Sequence, residues 1–295
     1  MAFDPEFCRS LLFVPAGNER FLESALRGSA DVIQIDLEDS IPPDQKESAR
    51  GAARDAIEQI HGAGRIGIVR VNSPLRLLVR DMEAVMCPGL AGLTIPKVSS
   101  GDVLKEIDAT LSELEQEHQL PPRAIRLIAL IESAEGLLNV REIATSTPRL
   151  AAITAGSEDL AADLGSGVDP DMLFLPNMQT LIAARAAGIT PLGFIGSIAV
   201  YNEPEIFRRW IRRARQLGFE GASCIHPRQV EILNEEFAPA AEEVDRAHAL
   251  IDAFEAHSAE GTGAFSFEGR MVDAPVIGRA RRVLKRHQSI AAAAH

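Results

Sequence analysis

The chain has 295 residues, 46% of them hydrophobic and 24% charged, which is typical of a soluble globular protein and unlike a disordered one. Its formal net charge of −12, without a concentrated basic patch, repels phosphate backbones and excludes nucleic acid as an expected partner. Three widely spaced cysteines without a CxxC pair, no apolar leader segment and no apolar run of about 18 residues predict a cytoplasmic protein without disulfides, zinc or membrane spans.

Short runs rich in Val, Ile and Leu recur along the chain at spacings of roughly 20 to 40 residues, the length of one strand–helix unit. In chain order they are LLFV, VIQIDLE, GIVRVN, GLTIPKV, IRLIALIE, AAITAGSED, ITPLGFIG and ASCIHP. The segments between them have helical periodicity, as in DVLKEIDATLSELEQEH. Eight such units predict an α/β fold of the TIM (β/α)8 barrel type. An open doubly wound sheet is the alternative, but no G-x-G-x-x-G turn follows the first run.

The pattern changes after about Ala238 to a helix, a glycine-containing segment and a last helix. The predicted domains are therefore a catalytic barrel over residues 1–238 and a C-terminal helical extension over residues 239–295. The Gly-Thr-Gly and Glu-Gly-Arg stretches of this extension predict a loop or lid. Pro275 suits the first turn of the closing helix.

Polar residues collect where the predicted strands end, and in a TIM barrel those ends form the active site. They are Asp36, Glu38 and Asp39 on strand two, Arg70 and Asn72 on strand three, Lys97 on strand four, Glu132 on strand five, Glu158 and Asp159 on strand six, and His226 on strand eight. Each has a structural alternative, since strand-end ion pairs imitate sites. Because neighbours on a strand face opposite sides, Glu158 is expected to point away from Asp159.

Glu132 and Asp159 form the strongest pair, because they follow adjacent strands at the same end of the barrel. Two carboxylates so placed share a proton, form an acid–base couple or hold a hard cation. Without a His or Cys cluster beside them, Mg²⁺ is favoured over zinc. Arg70 on the third strand is then the expected ligand for a substrate carboxylate.

Eight ordered segments, spread nearly end to end, resemble the citrate lyase beta subunit-like family of the HpcH/HpaI aldolase superfamily. They are RSLLFVPAGNERF, DVIQIDLEDSIPPDQKESAR, VRVNSP, GLTIPKV, LIALIESAEGLLN, AGSEDLAADLG, CIHPRQVEILNEEFAP and GRMVDAP. The resemblance implies Mg²⁺ on Glu132 and Asp159, with Arg70 as a catalytic residue on the substrate's oxo or carboxylate oxygens. It also implies that Asp273, from a neighbouring subunit's C-terminal segment, exchanges a proton with the carbon beside the thioester.

The family further implies a homotrimer or hexamer and a coenzyme A thioester lying along the barrel mouth. Asp36, Glu38 and Asp39 are then expected near the substrate, as partners of water or of the catalytic arginine. Lys97 and Arg20 are the expected local cations, for substrate and for coenzyme A respectively, because the acidic chain itself does not attract an anionic thioester. The segment PLGFIGSIAVYNEPE departs from the family by lacking an early acidic residue, which bears on substrate identity.

The leading hypothesis is a Mg²⁺-dependent carbon–carbon lyase acting on a short 3-hydroxy dicarboxylic acyl-CoA, such as citramalyl-, malyl- or citryl-CoA. It would give acetyl-CoA and a 2-oxo acid, or condense them. One alternative is the beta subunit of a multi-component citrate lyase, working on an acyl carrier protein thioester. Another is a non-catalytic barrel that binds coenzyme A. A class II pyruvate aldolase is disfavoured, because Ile35, Asp36 and Leu37 stand where its histidine base is expected.

Overall fold

The computed structural model describes residues 7–259 and 265–293. The chain forms two compact units, Met1–Glu235 and Glu236–His295. The division falls inside a helix, Pro227–Phe237, whereas the predicted boundary after residue 238 lies just beyond the end of that helix.

The first unit is built on eight strands, one for each predicted run. They are β1 Ser10–Pro15, β2 Val32–Asp36, β3 Gly67–Arg70, β4 Leu90–Ile95, β5 Arg126–Ile131, β6 Leu150–Ala155, β7 Thr190–Pro191 and β8 Ala222–Cys224. The order β7-β6-β5-β4-β3-β2-β1-β8 places sequence neighbours side by side, and the strands pair in parallel. A parallel bridge between Leu192 and Gly221 joins the two ends of this order. The predicted TIM barrel is therefore confirmed.

Helices connect the strands on the outside of the barrel. They are α1 Glu19–Arg27, α2 Lys46–Gly62, α3 Leu75–Val85, α4 Gly101–Glu117, α5 Ala134–Leu138, α6 Val140–Ala144, α7 Ser157–Asp163, α8 Pro170–Ala187, α9 Pro204–Leu217 and α10 Pro227–Phe237. Local chemistry sets several boundaries: the Asn18 side chain caps α1, and Asp169 followed by Pro170 begins α8. Gly188 ends α8 in the left-handed region that glycine adopts without strain.

Strand register decides which side chains face the barrel interior. Asp36 lies opposite Arg70, and Arg70 lies opposite Thr94, so these residues share the inner face of three adjacent strands. Below them the interior is aliphatic, with Leu11 and Ile68 among its buried residues. The polar residues near the strand ends are thus held above a packed core.

A buried ion cluster lies between α4 and the start of β6. This end of the barrel is opposite the carboxyl ends of the strands. Arg149 is fully buried and donates to the carboxylates of Glu115 and Asp108 and to the Ser112 hydroxyl. Its Nη1 also donates to the Ile125 carbonyl. Such a cluster ties the outer helix to two strands, and nothing in the periodicity of the sequence indicated it.

The second unit pairs α11 Ala241–Ala259 with α12 Ala274–Ala293 around a hairpin of β9 Phe265–Phe267 and β10 Arg270–Val272. Glu268 and Gly269 form its two-residue turn, both with positive φ, as a type I′ turn requires. The Glu-Gly-Arg stretch therefore forms the turn of this hairpin and the first residue of β10. The Gly-Thr-Gly stretch, residues 261–263, lies outside the described residues. Pro275 falls in the first turn of α12, as predicted.

A search of the helices across residues 7–259 and 265–293 finds none with the length and apolarity needed to cross a membrane.

Candidate active site at the strand ends

A cavity of about 530 Å³ opens at the carboxyl ends of the barrel strands. Its acidic lining consists of Asp36, Asp39, Glu132, Glu158 and Asp159, and its apolar lining includes Phe13, Leu130, Ile198 and Ile225. Arg70 is the basic residue of this lining. The cavity brings together charged residues from four different strand ends, which is how catalytic sites form in this fold.

Arg70 is fixed by Asp36 on the neighbouring strand. Its Nε lies 2.7 Å from Asp36 Oδ1 and its Nη2 lies 2.8 Å from Oδ2. The guanidinium carbon also stands 4.7 Å from the centre of the Phe13 ring. Burial raises the pKa of Asp36, but hydrogen bonds and attraction from Arg70 outweigh burial, so the pKa falls below its usual value. Asp36 is therefore an ionised partner that orients the arginine.

Glu38 and Asp39 surround the other side of the guanidinium. Arg70 Nη1 lies 3.0 Å from Glu38 Oε2 and 3.2 Å from Asp39 Oδ2. Glu38 Oε2 is out of line for a hydrogen bond and has no hydrogen-bond partner among the described residues. Burial raises the pKa of Glu38, although Arg70 opposes the shift. Nη2 has two N–H bonds and uses one on Asp36, so its second N–H has no hydrogen-bond partner among the described residues.

Glu132 is buried and lines the cavity. Its Oε2 accepts a 2.8 Å hydrogen bond from the Lys97 backbone N–H. Gly156 lies so close that an added Cβ would stand 2.6 Å from Glu132 Cγ and Oε1. Burial raises the pKa of Glu132 to about 7; the Lys97 hydrogen bond opposes this, and repulsion from Glu38 and Asp159 adds to it. Burial is therefore the main cause of the raised pKa, and the neighbouring carboxylates add to it.

Asp159 and Glu158 lie in the first turn of helix α7 and not on strand β6, which ends at Ala155. Both line the cavity. The expectation that Glu158 points away was wrong, because helix neighbours are separated by about 100° and strand neighbours by about 180°. The Ser197 hydroxyl donates to Glu158, which ties this helix to the loop after β7.

Glu132 and Asp159 fit a magnesium ion better than a metal held by protein ligands alone. Across the described residues, no three or more His, Cys, Asp or Glu side chains converge on one point as a full metal cage would. Magnesium is commonly held by one or two carboxylates, with water or substrate oxygens in its other positions. Repulsion from Asp159 helps to raise the pKa of Glu132. A cation held by both carboxylates would reduce this repulsion.

Lys97 belongs to the site although its backbone conformation is unusual. Its Nζ lies 3.1 Å from Glu38 Oε1, 3.8 Å from Asp159 Oδ2 and 3.9 Å from Asp39 Oδ1. Burial disfavours the charge, but the hydrogen bond to Glu38 and attraction from the acidic side chains outweigh burial and raise the pKa of Lys97. The lysine therefore interacts with carboxylates of this protein, and the substrate contact that the sequence predicted for it stays a prediction.

Other predicted residues lie away from the cavity lining. Arg20 is exposed on α1, beside Phe21, which does line the cavity. Asn72 donates to the buried Asp81 and so holds the chain after β3. His226 Nδ1 accepts the Arg228 backbone N–H and its ring stacks on Tyr201.

Asp273 lies in the second unit, directly before α12. Its Oδ1 accepts a 3.3 Å hydrogen bond from the Val276 backbone N–H, as a helix-capping aspartate does.

Lys46 and Gly156 were not identified from the sequence. Lys46 Nζ donates to the carbonyls of Leu37 and Glu38 at 2.7 and 2.6 Å, and so holds the acidic loop after β2. Lys46 lies in DSIPPDQKESAR, which is part of a segment that carries the family resemblance. Gly156 stands in AGSED, where its close approach to Glu132 depends on tertiary structure.

The fold and the site define a TIM barrel in which a carboxylate pair stands beside a fixed arginine. The family model for HpcH/HpaI aldolase/citrate lyase matches residues 9–227. The chain therefore belongs to this family, and the predicted citrate lyase beta subunit-like membership is confirmed.

The citrate lyase subunit beta of Leuconostoc mesenteroides subsp. cremoris is 34% identical over 281 residues, which cover 94% of this chain and 92% of that protein. A (3S)-malyl-CoA thioesterase of Cereibacter sphaeroides is 36% identical over 298 residues, 99% of each chain. A crystal structure of CitE from Mycobacterium tuberculosis with magnesium, acetoacetate and coenzyme A matches with a TM-score of 0.72 and 31% identity, over 95% of this chain and 97% of that one.

Proposed function

We propose that this protein is a Mg²⁺-dependent lyase that splits a short 3-hydroxy dicarboxylic acyl-CoA into acetyl-CoA and a 2-oxo acid, or catalyses the reverse condensation. The observation that carries the proposal is the juxtaposition of Glu132 and Asp159 with the fixed Arg70 around one cavity. The relatives support the thioester class of substrate, because their names include citrate lyase subunits and a malyl-CoA thioesterase. The magnesium and coenzyme A in the M. tuberculosis CitE structure support both ligands.

In this reaction Glu132 and Asp159 would hold Mg²⁺, which polarises the oxygen on the carbon whose bond breaks. Arg70 would use its free Nη2–H on an oxygen of the 2-oxo acid, and Asp36 would keep the guanidinium in place. The apolar lining, which includes Phe13 and Leu130, excludes water from the developing enolate.

Cleavage of the carbon–carbon bond releases the proton of the 3-hydroxyl group to a base or to water in the cavity. Asp273 is the proposed donor of the proton that the acetyl-CoA enolate takes up, and the base that removes this proton in the condensation direction. The proposal for Asp273 rests on the resemblance of GRMVDAP to the family's C-terminal segment. It includes a homotrimer or hexamer in which the second unit of one subunit serves the barrel of another. Sedimentation at micromolar concentration tests the assembly, and a monomer would contradict it.

A mass-spectrometric assay against citramalyl-, malyl- and citryl-CoA, with and without EDTA, tests the activity. Cleavage to acetyl-CoA that EDTA abolishes and added Mg²⁺ restores would support the proposal. Glu132→Ala is expected to lose the Mg²⁺-dependent cleavage, and full activity of this variant would refute the metal assignment. Asp273→Asn should lose cleavage while keeping its Mg²⁺ affinity. Loss of both by this variant would contradict a role confined to proton transfer.

Hydrolysis of a malyl-CoA-type thioester is a second candidate function. It is favoured by the full-length match to the (3S)-malyl-CoA thioesterase, which covers 99% of each chain. The products discriminate the two reactions in the same assay. A lyase releases acetyl-CoA and a 2-oxo acid, whereas a thioesterase releases free coenzyme A and the hydroxy diacid.

Two further alternatives are tested by changing the carrier. The match to citrate lyase beta subunits supports, as one alternative, a reaction on a thioester of an acyl carrier protein. Turnover with that carrier and none with free coenzyme A esters would establish it. Binding of coenzyme A without turnover of any thioester would identify a non-catalytic barrel.

A further inference from the structure

Lys97 adopts a backbone conformation that a residue with a side chain rarely adopts. Its φ is +54°, in the left-handed region, where the Cβ approaches the following carbonyl. Strain of this kind persists where the surrounding structure requires it, and it collects at functional sites. The conformation lets one residue make two contacts at once: its N–H donates to Glu132 and its side chain reaches the acidic side chains opposite.

The Lys97 ammonium lies among three carboxylates from two separate segments. Glu38 and Asp39 follow β2, and Asp159 lies in α7; their nearest oxygens are 3.1, 3.9 and 3.8 Å from Nζ. The side chain is 40% exposed, so it keeps room to move. Only the Glu38 contact is within hydrogen-bond distance, while the contact with Asp159 is a longer ion pair.

Arg70 is the other cation here, but its charge is committed elsewhere. Its Nε and Nη2 are bound by Asp36, and its Nη1 lies against Glu38 and Asp39. No ion pair of Arg70 with Glu132 or Asp159 occurs within the part of the chain that the structure describes. Among the described residues, Lys97 is therefore the cation that forms an ion pair with Asp159.

We propose that Lys97 is a positioning residue that holds the carboxylates together before the divalent cation arrives and then competes with this cation for Asp159. The inference rests on the proposed function, because it takes Glu132 and Asp159 as the ligands of Mg²⁺. The ammonium neutralises part of the negative charge in the metal-free protein. When Mg²⁺ binds, it and the Lys97 ammonium are two cations beside the same Asp159 carboxylate. The flexible lysine side chain is the one that moves away.

The test compares Mg²⁺ binding and metal-free stability in three variants. Lys97→Met keeps the length of the side chain and removes its charge, whereas Lys97→Arg keeps the charge. Lys105→Met is the matched control, because Lys105 pairs with Asp102 on the outer helix α4, whereas Lys97 pairs with Glu38, Asp39 and Asp159. Mg²⁺ affinity is measured by calorimetry on the folded protein, and the melting temperature is measured in EDTA.

Lys97→Met should bind Mg²⁺ about tenfold more tightly. A unit positive charge a few ångströms from a divalent cation raises its dissociation constant by about this factor, even in a high dielectric. Its melting temperature in EDTA should fall, because the carboxylates lose their counterion. Lys97→Arg and Lys105→Met should keep the wild-type affinity. A residue that only supported the fold would weaken Mg²⁺ binding when replaced.

Equal or weaker Mg²⁺ binding by a folded Lys97→Met protein would overturn the inference and leave the metal assignment intact. Tighter binding by Lys105→Met as well would also overturn it, because the effect would then come from net charge. If neither the wild type nor Lys97→Met takes up Mg²⁺, the proposed metal site and the role of Lys97 both fail.

Discussion

Arg70 and Asp36 form a two-point ion pair across neighbouring strands, with N–O distances of 2.7 and 2.8 Å. The strand register places them opposite each other, so the geometry is set by the barrel itself. The planar guanidinium matches a carboxylate at two points, and an ammonium does not. The pair therefore makes the arginine a rigid donor at the edge of the cavity.

Arg70→Lys is accordingly expected to lower kcat/KM by about 100-fold, because the loss of a preorganised donor costs roughly that factor. Asp36→Asn should lower it less, since the amide still accepts one hydrogen bond from Arg70. Steady-state kinetics with whichever of citramalyl-, malyl- and citryl-CoA the wild type cleaves measures both. Arg54→Lys, on the exposed face of α2, is the control that should keep wild-type values. Unchanged kinetics in Arg70→Lys would rule out a substrate contact through Nη2.

Gly156→Ala should weaken Mg²⁺ binding without unfolding the protein. The new Cβ would stand 2.6 Å from Glu132 Oε1, so the carboxylate must move. The φ of Gly156 is −86°, which alanine adopts freely, and the effect is therefore steric. Calorimetry should give an affinity lower by about tenfold or more, as for other disturbances of a metal ligand's surroundings. Gly167→Ala, with no atom within 4 Å of the added Cβ, is the matched control.

The metal-free protein should lose stability as the pH rises from about 5 to 8. Burial raises the pKa of Glu132 from 4.5 in the unfolded chain to about 7, so the folded state binds more protons between these values. The unfolding free energy therefore falls across that window and Glu132 contributes no further change above it. Urea titrations in EDTA measure the slope, and Glu132→Gln should flatten it. A slope that is the same in both proteins would contradict the raised pKa.

The same ionisation links metal binding to pH. Mg²⁺ requires the deprotonated carboxylate, so its affinity should rise with pH up to about 7 and then level off, following the pKa of Glu132. Calorimetry at pH 6 and pH 8 is the measurement. Equal affinities at the two values would show that Glu132 is already ionised at pH 6 or does not bind the ion.

Arg149→Met should destabilise the barrel by about 3 to 5 kcal/mol, because it leaves buried carboxylates without their cation. Glu115 is 2% exposed and Arg149 is fully buried, so solvent does not compensate. Arg141→Met removes an exposed arginine from the nearby helix α6 and should change stability little. Urea unfolding measures both. Adding Glu115→Gln to Arg149→Met should recover part of the loss, and a further loss would argue against uncompensated charge as the cause.

Much of the site was predictable from the order of residues along the strands. Arg70, Glu132 and Asp159 follow apolar runs, and in a barrel the ends of such runs meet at one rim. The error concerned Glu158, because the sequence did not reveal that a helix begins at Ser157, directly after the strand. Asp273 remains a prediction from resemblance, since its own contacts are those of a helix cap.

The amino-acid sequence by itself determined the eight-stranded barrel and the acidic residues around Arg70. Periodicity and the polar residues at strand ends are local properties of the sequence. They can be read in each strand–helix unit separately. Only the tertiary structure decided that Asp36 orients Arg70, that Lys97 turns left-handed to reach both Glu132 and Asp159, and that Gly156 makes room for a carboxylate. These relationships join residues that are far apart in the chain. They depend on strand register and close packing, so no periodic pattern in the sequence indicates them.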